Sequence, residues 1–201
     1  MRTLFSWGGP IVDQALSLAT YACLLLLPLL ALLQWRRHKS LRGRWLWLGV
    51  TLIFYLVGLV SFTFLPLPEP DQIQCNEGSY YPRFFAGWSL QFALDQTQGL
   101  GLKRFFTWPF LQIYLNILLF VPWGMALAWL FKASLRAAML SGFAASLFIE
   151  LSQLTGLWGY FPCRYRTFDV DDMISNTLGV IVGWVLLTWI GATKQHFFRK
   201  R

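Results

Sequence analysis

Three polar residues near the C-terminal end of the chain have types and spacing that could bind a cation or a charged ligand. Asp169, Asp172 and Asn176 are spaced i, i+3 and i+7, so in a helix they lie on one face. A hydrophobic segment follows, and carboxylates at the edge of a membrane are costly unless they have partners. Gly179 and Gly183 extend this side of the helix, where a missing side chain lets another helix approach. The pattern predicts a helix with a polar patch at one end and a packing seam along it.

Another carboxylate, Glu150, lies inside a hydrophobic segment of its own. A charged group at the centre of a span costs on the order of 2.5–3.5 kcal/mol, and less near the ends. Glu150 should therefore face protein, take up a proton or pair with a cation, and Arg164 and Arg166 in the next loop are the expected partners. Two interpretations stay open: a structural network that locks helices together, and a binding or catalytic site.

The remaining polar residues of these segments have more ordinary interpretations. Asn116 and Gln153 are more often hydrogen-bonding groups between helices than ligand contacts. Asp171 points away from the Asp169 face and is predicted to cap the helix N-terminus. The candidate ligand-binding residues are therefore Asn116, Glu150, Gln153, Arg164, Arg166, Asp169, Asp172 and Asn176.

The elements that must position these residues are hydrophobic helices. The 201 residues are 56% hydrophobic, and only 13% are charged, which is about half the share in soluble domains. A transmembrane helix needs roughly 20 mostly apolar residues. The sequence predicts an all-α, polytopic membrane protein, a single membrane domain over residues 1–201. Its five spans are expected at about 12–34, 45–65, 109–131, 137–155 and 172–191.

The basic residues indicate how the chain is oriented. A net charge of +8 is compatible with nucleic-acid binding, but the Lys and Arg residues cluster beside apolar segments, as in membrane proteins, and no nucleic-acid partner is expected. Under the five-span interpretation, 11 of the 17 lie on one side, which the positive-inside rule makes cytoplasmic. The N-terminus is then outside and the C-terminus cytoplasmic. The 11 are Arg36, Arg37, Lys39, Arg42, Arg44, Lys132, Arg136, Lys194, Arg199, Lys200 and Arg201.

The external loop after the second span is rich in aromatic residues between 80 and 108. An aromatic belt that anchors the loop in the headgroup layer is the favoured interpretation, and a lid over the polar residues is the alternative. Cys75 and Cys163 both fall in external loops, where a disulfide is chemically permitted. A Cys75–Cys163 bond is one hypothesis, and two unpaired thiols are the other.

Three sequence blocks together resemble the VanZ-like family of small integral membrane proteins. They are Asn116-Ile-Leu-Leu-Phe-Val-Pro-Trp-Gly124, Glu150-Leu-Ser-Gln153 and the segment from Arg166 to Gly179. The resemblance covers about residues 110–190. It implies a multi-pass protein of the bacterial cytoplasmic membrane and a link to low-level resistance to teicoplanin, a lipoglycopeptide that binds cell-wall precursor.

Four functions are compatible with this pattern, and the first is favoured. Arg164 and Arg166 would bind the phosphate of a polyprenyl phosphate or a lipid-linked wall precursor. An enzyme that holds Mg²⁺ or Mn²⁺ through Glu150, Asp169 and Asp172 is less favoured, because no nucleophile or histidine accompanies them. No cofactor is required by the favoured interpretation. A transporter or flippase, and a structural partner in an envelope complex, are the remaining alternatives.

Overall fold

The computed structural model describes residues 3–38, 43–68, 73, 75 and 80–199. Over these residues the chain is helical, and the predicted all-α fold is confirmed. The seven α-helices are α1 (Thr3–His38), α2 (Gly43–Phe64), α3 (Trp88–Gln96), α4 (Trp108–Leu130), α5 (Leu135–Leu154), α6 (Gly156–Gly159) and α7 (Val170–Arg199), with a 3₁₀ helix at Gly101–Phe106.

Five of these helices are long and apolar enough to cross a membrane, which confirms the five predicted spans. The candidate spans lie within α1, α2, α4, α5 and α7 and differ from the predicted ranges by a few residues at each end. Their bounds are Asp13–Arg36, Trp47–Phe64, Trp108–Leu130, Leu135–Leu154 and Val170–Gly191.

The chain forms two compact units, Met1–Pro68 and Glu69–Arg201. In the first unit, α1 and α2 pack against each other through small and branched apolar side chains. Helix α2 ends at Phe64, just before Pro66 and Pro68, because proline cannot continue a helix. The buried residues of this contact are Ala19, Ile53 and Val57, with Ala22, Cys23 and Leu27 packed against them.

In the second unit, α7 packs against α4 at backbone distance. A Cβ atom added to Gly179 would meet the carbonyl oxygen of Ile117, and one added to Gly183 would meet that of Val121. Gly124 of α4 makes the reciprocal contact, since its added Cβ would meet a backbone carbonyl oxygen of α7. The predicted small-residue seam of α7 is therefore the surface that contacts α4.

The neighbouring side of α7 packs against α5. The side chain of Val180 fits over Gly142, where an added Cβ would lie 2.6 Å from a Val180 methyl carbon. One turn closer to the start of α7, the Asn176 amide donates a hydrogen bond of 2.8 Å to the Ser146 hydroxyl. Helix α7 thus packs against both other spans of this unit.

The loop between α2 and α4 is attached to the start of α7 by main-chain and covalent bonds. The Arg83 N–H donates to the Phe168 carbonyl at 2.8 Å, and the Val170 N–H donates to the Arg83 carbonyl at 3.1 Å. Cys75 and Cys163 form a disulfide with their Cα atoms 5.8 Å apart. The loop is therefore held against the connection between α5 and α7.

That connection makes a tight turn at Gly156, which has a φ of +61°. An added Cβ there would lie 2.6 Å from the Cys163 carbonyl oxygen and 2.9 Å from that of Phe161. Thr155 caps the short helix α6, because its hydroxyl accepts the Trp158 N–H at 3.0 Å. A side chain at position 156 would clash with these carbonyl groups and would push the disulfide-bonded segment around Cys163 away from α5.

Candidate functional site: a polar cluster at the start of α7

Seven polar side chains meet where α7 begins, α5 ends and the loop between α2 and α4 crosses over. We call this group the polar cluster. Its members come from the loop, from α4, from α5 and from α7, so it joins every main element of the second unit. They are Arg83, Ser89, Asn116, Glu150, Asp169, Asp171 and Asp172.

Asp169 makes the largest number of these bonds. One carboxylate oxygen accepts the Asp171 N–H at 2.9 Å, which caps the first turn of α7. The other accepts from Arg83 Nη1 at 3.1 Å and from the Ser89 hydroxyl at 2.8 Å. Asp169 is buried, whereas the Arg83 side chain is 31% exposed. This residue therefore attaches the loop between α2 and α4 to the helix that it caps.

Asp171 binds the loop between α2 and α4 and not its own helix, which corrects the predicted cap. Its two carboxylate oxygens accept the backbone N–H groups of Gly87 at 2.6 Å and of Ser89 at 2.7 Å. Gly87 directly precedes α3, so Asp171 satisfies the N-terminal donors of that helix from outside. The sequence analysis correctly predicted that the Asp171 carboxylate binds N–H groups at a helix N-terminus. It assigned that role to α7, whereas the helix is α3.

Replacing Asp171 with alanine should loosen α3 without disturbing the spans. The exposed N–H of Gly87 and the half-buried N–H of Ser89 would lose their acceptors, and the loss of one helix cap costs about 1 kcal/mol. We expect backbone amides of α3 to exchange hydrogen for deuterium roughly fivefold faster. Asp95→Ala removes the same charge from an exposed position on α3 and is the matched control. Equal exchange in the two variants would contradict the assigned contact.

Glu150 is 2% exposed and lies four residues before the end of α5. Its Oε2 accepts the backbone N–H of Asp169 at 2.8 Å. Arg166 attracts its carboxylate electrostatically, as the sequence suggested, whereas Arg164 has a different neighbour: its guanidinium carbon lies 5.9 Å from the centre of the Tyr81 ring. The buried glutamate thus connects the end of α5 to the residue that caps α7.

The three residues predicted to share one face of α7 each contact a different element. Asp169 binds the loop, Asp172 accepts a 2.5 Å hydrogen bond from the Asn116 amide of α4, and Asn176 binds Ser146 of α5. The side-chain carbonyl oxygen of Asn176, Oδ1, is buried and has no hydrogen-bond partner among the described residues. Gln153 is buried on α5. The common face therefore lies over the junction of α4, α5 and the loop.

Arg83 and Ser89 are the members of the polar cluster that the sequence did not indicate. Arg83 lies 86 residues before Asp169 in the chain, and its neighbours in sequence are aromatic. It also stacks on Trp88, with the guanidinium carbon 3.5 Å from the ring centroid. The only local indication of Arg83 in the sequence was a basic residue among aromatic residues, in a loop predicted to lie on the same side of the membrane as the carboxylates.

The described residues contain no group of three or more His, Cys, Asp or Glu side chains that could hold a metal ion. Of the three carboxylates considered for Mg²⁺ or Mn²⁺, Asp169 is occupied by Arg83, Ser89 and its own helix. A divalent ion would have to displace these donors. The geometry therefore suits a hydrogen-bond network better than a metal centre.

The connection from α5 to α7 adds a buried phenol next to the two arginines. Tyr165 packs on Phe161 with ring centroids 5.0 Å apart, and burial raises the pKa of its hydroxyl to about 12. The hydroxyl has no hydrogen-bond partner within the described part of the chain. At neutral pH it stays protonated, so it offers a hydrogen-bond donor and not a base.

The five membrane-length helices and the polar cluster at one end of three of them define a multi-pass membrane protein. The family model described as VanZ/LLP1 matches residues 52–191, and the chain belongs to this VanZ-like family. The match begins within α2 and so extends further towards the N-terminus than the motifs near 110–190 suggested. No curated protein and no solved structure matches the chain at a significant level.

Proposed function

We propose that this VanZ-like protein binds an anionic cell-envelope lipid, such as a polyprenyl phosphate or a lipid-linked wall precursor, at the external surface beside Arg164. The carboxylates of the polar cluster have a structural role in this proposal, because each of them already accepts hydrogen bonds from the protein. The basic residues of the connection from α5 to α7 supply the affinity for phosphate.

The observation that carries the proposal is the environment of Arg164. Its half-buried guanidinium lies near the ring of Tyr81 and makes no hydrogen bond or ion pair within the residues the structure describes. Guanidinium pairs with phosphate through two parallel hydrogen bonds. Because Cys163 is disulfide-bonded to the external loop, the neighbouring Arg164 is held in place before a ligand arrives. An anchored cation with exposed aromatic neighbours suits a phosphate attached to an apolar chain.

The external position of this site is part of the proposal. It follows from the positive-inside rule applied to the basic residues of the other loops and the C-terminus. Four of these residues, Lys39, Arg42, Lys200 and Arg201, lie outside the described residues. With that orientation the polar cluster, Arg164 and the disulfide all lie at the outer side of the bacterial cytoplasmic membrane. Binding that hides or alters a wall precursor would then account for teicoplanin resistance.

Replacing Arg164 with glutamine tests the proposal directly. The protein in detergent would be titrated with a polyprenyl phosphate, and bound lipid counted by native mass spectrometry. A charge-assisted hydrogen bond contributes about 1.5–3 kcal/mol, so we expect affinity to fall roughly 10- to 100-fold. Arg136→Gln is the matched control, because Arg136 lies 14 residues before Glu150 on α5, about 21 Å away along the helix.

Equal lipid binding by the two variants would overturn the Arg164 site. A polyprenyl alcohol should bind weakly to the unmodified protein, because it lacks the phosphate. Repeating the titration with Mg²⁺ or Mn²⁺ separates binding from catalysis: a change in lipid mass that needs the metal would replace the binding proposal with the enzyme alternative.

A further inference from the structure

The 3₁₀ helix Gly101–Phe106 exposes large apolar side chains just before α4 begins. Leu102 is 81% exposed, Phe106 is 82% exposed and Trp108, the first residue of α4, is 66% exposed. Trp108 also begins a candidate membrane span. These side chains therefore lie at the level where the polypeptide passes from water into lipid, which is where exposed aromatic residues are stable.

The 3₁₀ helix is fixed to α4 and cannot move far from that level. The Phe105 ring meets the buried Phe110 edge-on with centroids 5.1 Å apart. The chain continues into α4 through Thr107, whose N–H donates to the Arg104 carbonyl at 3.1 Å and whose carbonyl accepts the Leu111 N–H at 2.9 Å. The exposure of Leu102 and Phe106 is thus tied to the position of the span.

Two basic residues lie between the exposed apolar ones. Lys103 is exposed, and Arg104 donates one guanidinium N–H to the Gly101 carbonyl at 3.0 Å. Neither residue forms an ion pair within the described part of the chain. Basic groups next to exposed apolar side chains are typical of segments that lie on an anionic membrane surface.

We propose that Gly101–Phe106 is an interfacial anchor that lies in the headgroup layer of the surrounding membrane. Leu102 and Phe106 enter the upper part of the acyl chains, and Lys103 and Arg104 bind the phosphates of anionic phospholipids. The direct continuation into α4 favours the membrane itself over a second protein, because the C-terminal end of the segment is held at the start of the span through Thr107 and the contact of Phe105 with Phe110. This anchor does not depend on ligand binding at Arg164.

Spin labels would test the anchor in the intact protein. Cys23 would be replaced by alanine, the Cys75–Cys163 disulfide kept, and one label attached at Leu102→Cys or Phe106→Cys. The protein would be reconstituted in phosphatidylcholine vesicles with or without phosphatidylglycerol. Collisions with oxygen, which concentrates in lipid, and with a water-soluble nickel complex would be measured by electron paramagnetic resonance. Gln98→Cys, at an exposed polar position, is the control site.

We expect a several-fold higher ratio of oxygen to nickel collisions at positions 102 and 106 than at 98. Phosphatidylglycerol should increase that ratio, and Lys103→Gln combined with Arg104→Gln should abolish the increase. A ratio equal to that at position 98 would overturn the anchor. Labels shielded from both reagents would overturn it too, because a protein surface would then cover the segment. A ratio that does not respond to phosphatidylglycerol would overturn the role of the basic residues.

Discussion

Replacing Gly179 with alanine is expected to separate α4 from α7 and to lower the stability of the whole second unit. The added Cβ would meet the Ile117 carbonyl oxygen, and it would lie 3.1 Å from the Phe120 Cβ. A backbone atom cannot turn aside as a flexible side chain can, so the helices must shift. Inserting an extra methyl group into a well-packed core costs typically 1–3 kcal/mol, and this contact should fall at the upper end.

The measurement is unfolding of the protein in detergent micelles by increasing sodium dodecyl sulfate, followed by tryptophan fluorescence. Gly191→Ala is the matched control, because Gly191 lies on the same helix and an added Cβ there meets nothing within 4 Å. We expect the control to change the unfolding free energy by less than about 0.5 kcal/mol. If Gly179→Ala unfolded at the same detergent concentration as Gly191→Ala, the backbone contact between α4 and α7 would be refuted.

The spans could be predicted from the sequence because their signal is local. Each is a continuous apolar segment of the length that a bilayer requires, and the glycine seam of α7 follows from helical periodicity alone. The i, i+3, i+7 spacing likewise placed Asp169, Asp172 and Asn176 on one face. These features depend only on residues that are near one another in the chain.

The partners of those residues could not be predicted, because they depend on contacts between distant segments. Arg83 reaches Asp169 through the main-chain pairing of the loop with residues 168–170, and no local pattern marks that pairing. The same pairing places the N-terminus of α3 over Asp171, which is why the capping role was assigned to the wrong helix. Sequence periodicity identifies the side of α7 that is polar, but not what covers it.

The structure also changes how the two interpretations of the carboxylates compare. A ligand site needs donors or acceptors that are available, and the carboxylates of Glu150, Asp169 and Asp171 already accept backbone N–H groups. Such bonds occupy the acceptor oxygens of a carboxylate and hold it in one orientation. The polar cluster thus fastens the loop to the spans, and under our proposal Arg164, in the connection from α5 to α7, is the group that meets a ligand.

Replacing Asp169 with alanine is expected to release the loop between α2 and α4 from the spans. The change removes the acceptor of Arg83, of the Ser89 hydroxyl and of the Asp171 N–H. Breaking a buried ion pair costs about 3–5 kcal/mol, but Arg83 is 31% exposed, so solvent replaces part of that interaction. With the lost helix cap added, we expect about 2–4 kcal/mol of destabilisation.

Limited digestion with trypsin would show which part of the protein loosens. The peptide bond after Arg83 lies in the segment paired with residues 168–170, so cleavage there should be slow in the unmodified protein and fast in Asp169→Ala. Fragments must be reduced before electrophoresis, because the Cys75–Cys163 disulfide joins the two sides of this cut. Cleavage after the exposed Lys103 serves as an internal reference, and Asp95→Ala is the control for loss of one acidic charge.

A double-mutant cycle with Arg83→Gln separates the ion pair from the other bonds of Asp169. Residues in direct contact show coupling energies of about 0.5–3 kcal/mol, and we expect a value in this range between Arg83 and Asp169. Because these measurements contain no lipid, they report the structural role of the polar cluster alone. If Asp169→Ala left stability and digestion unchanged, the fastening would be refuted and the buried carboxylate would have to be explained by a ligand.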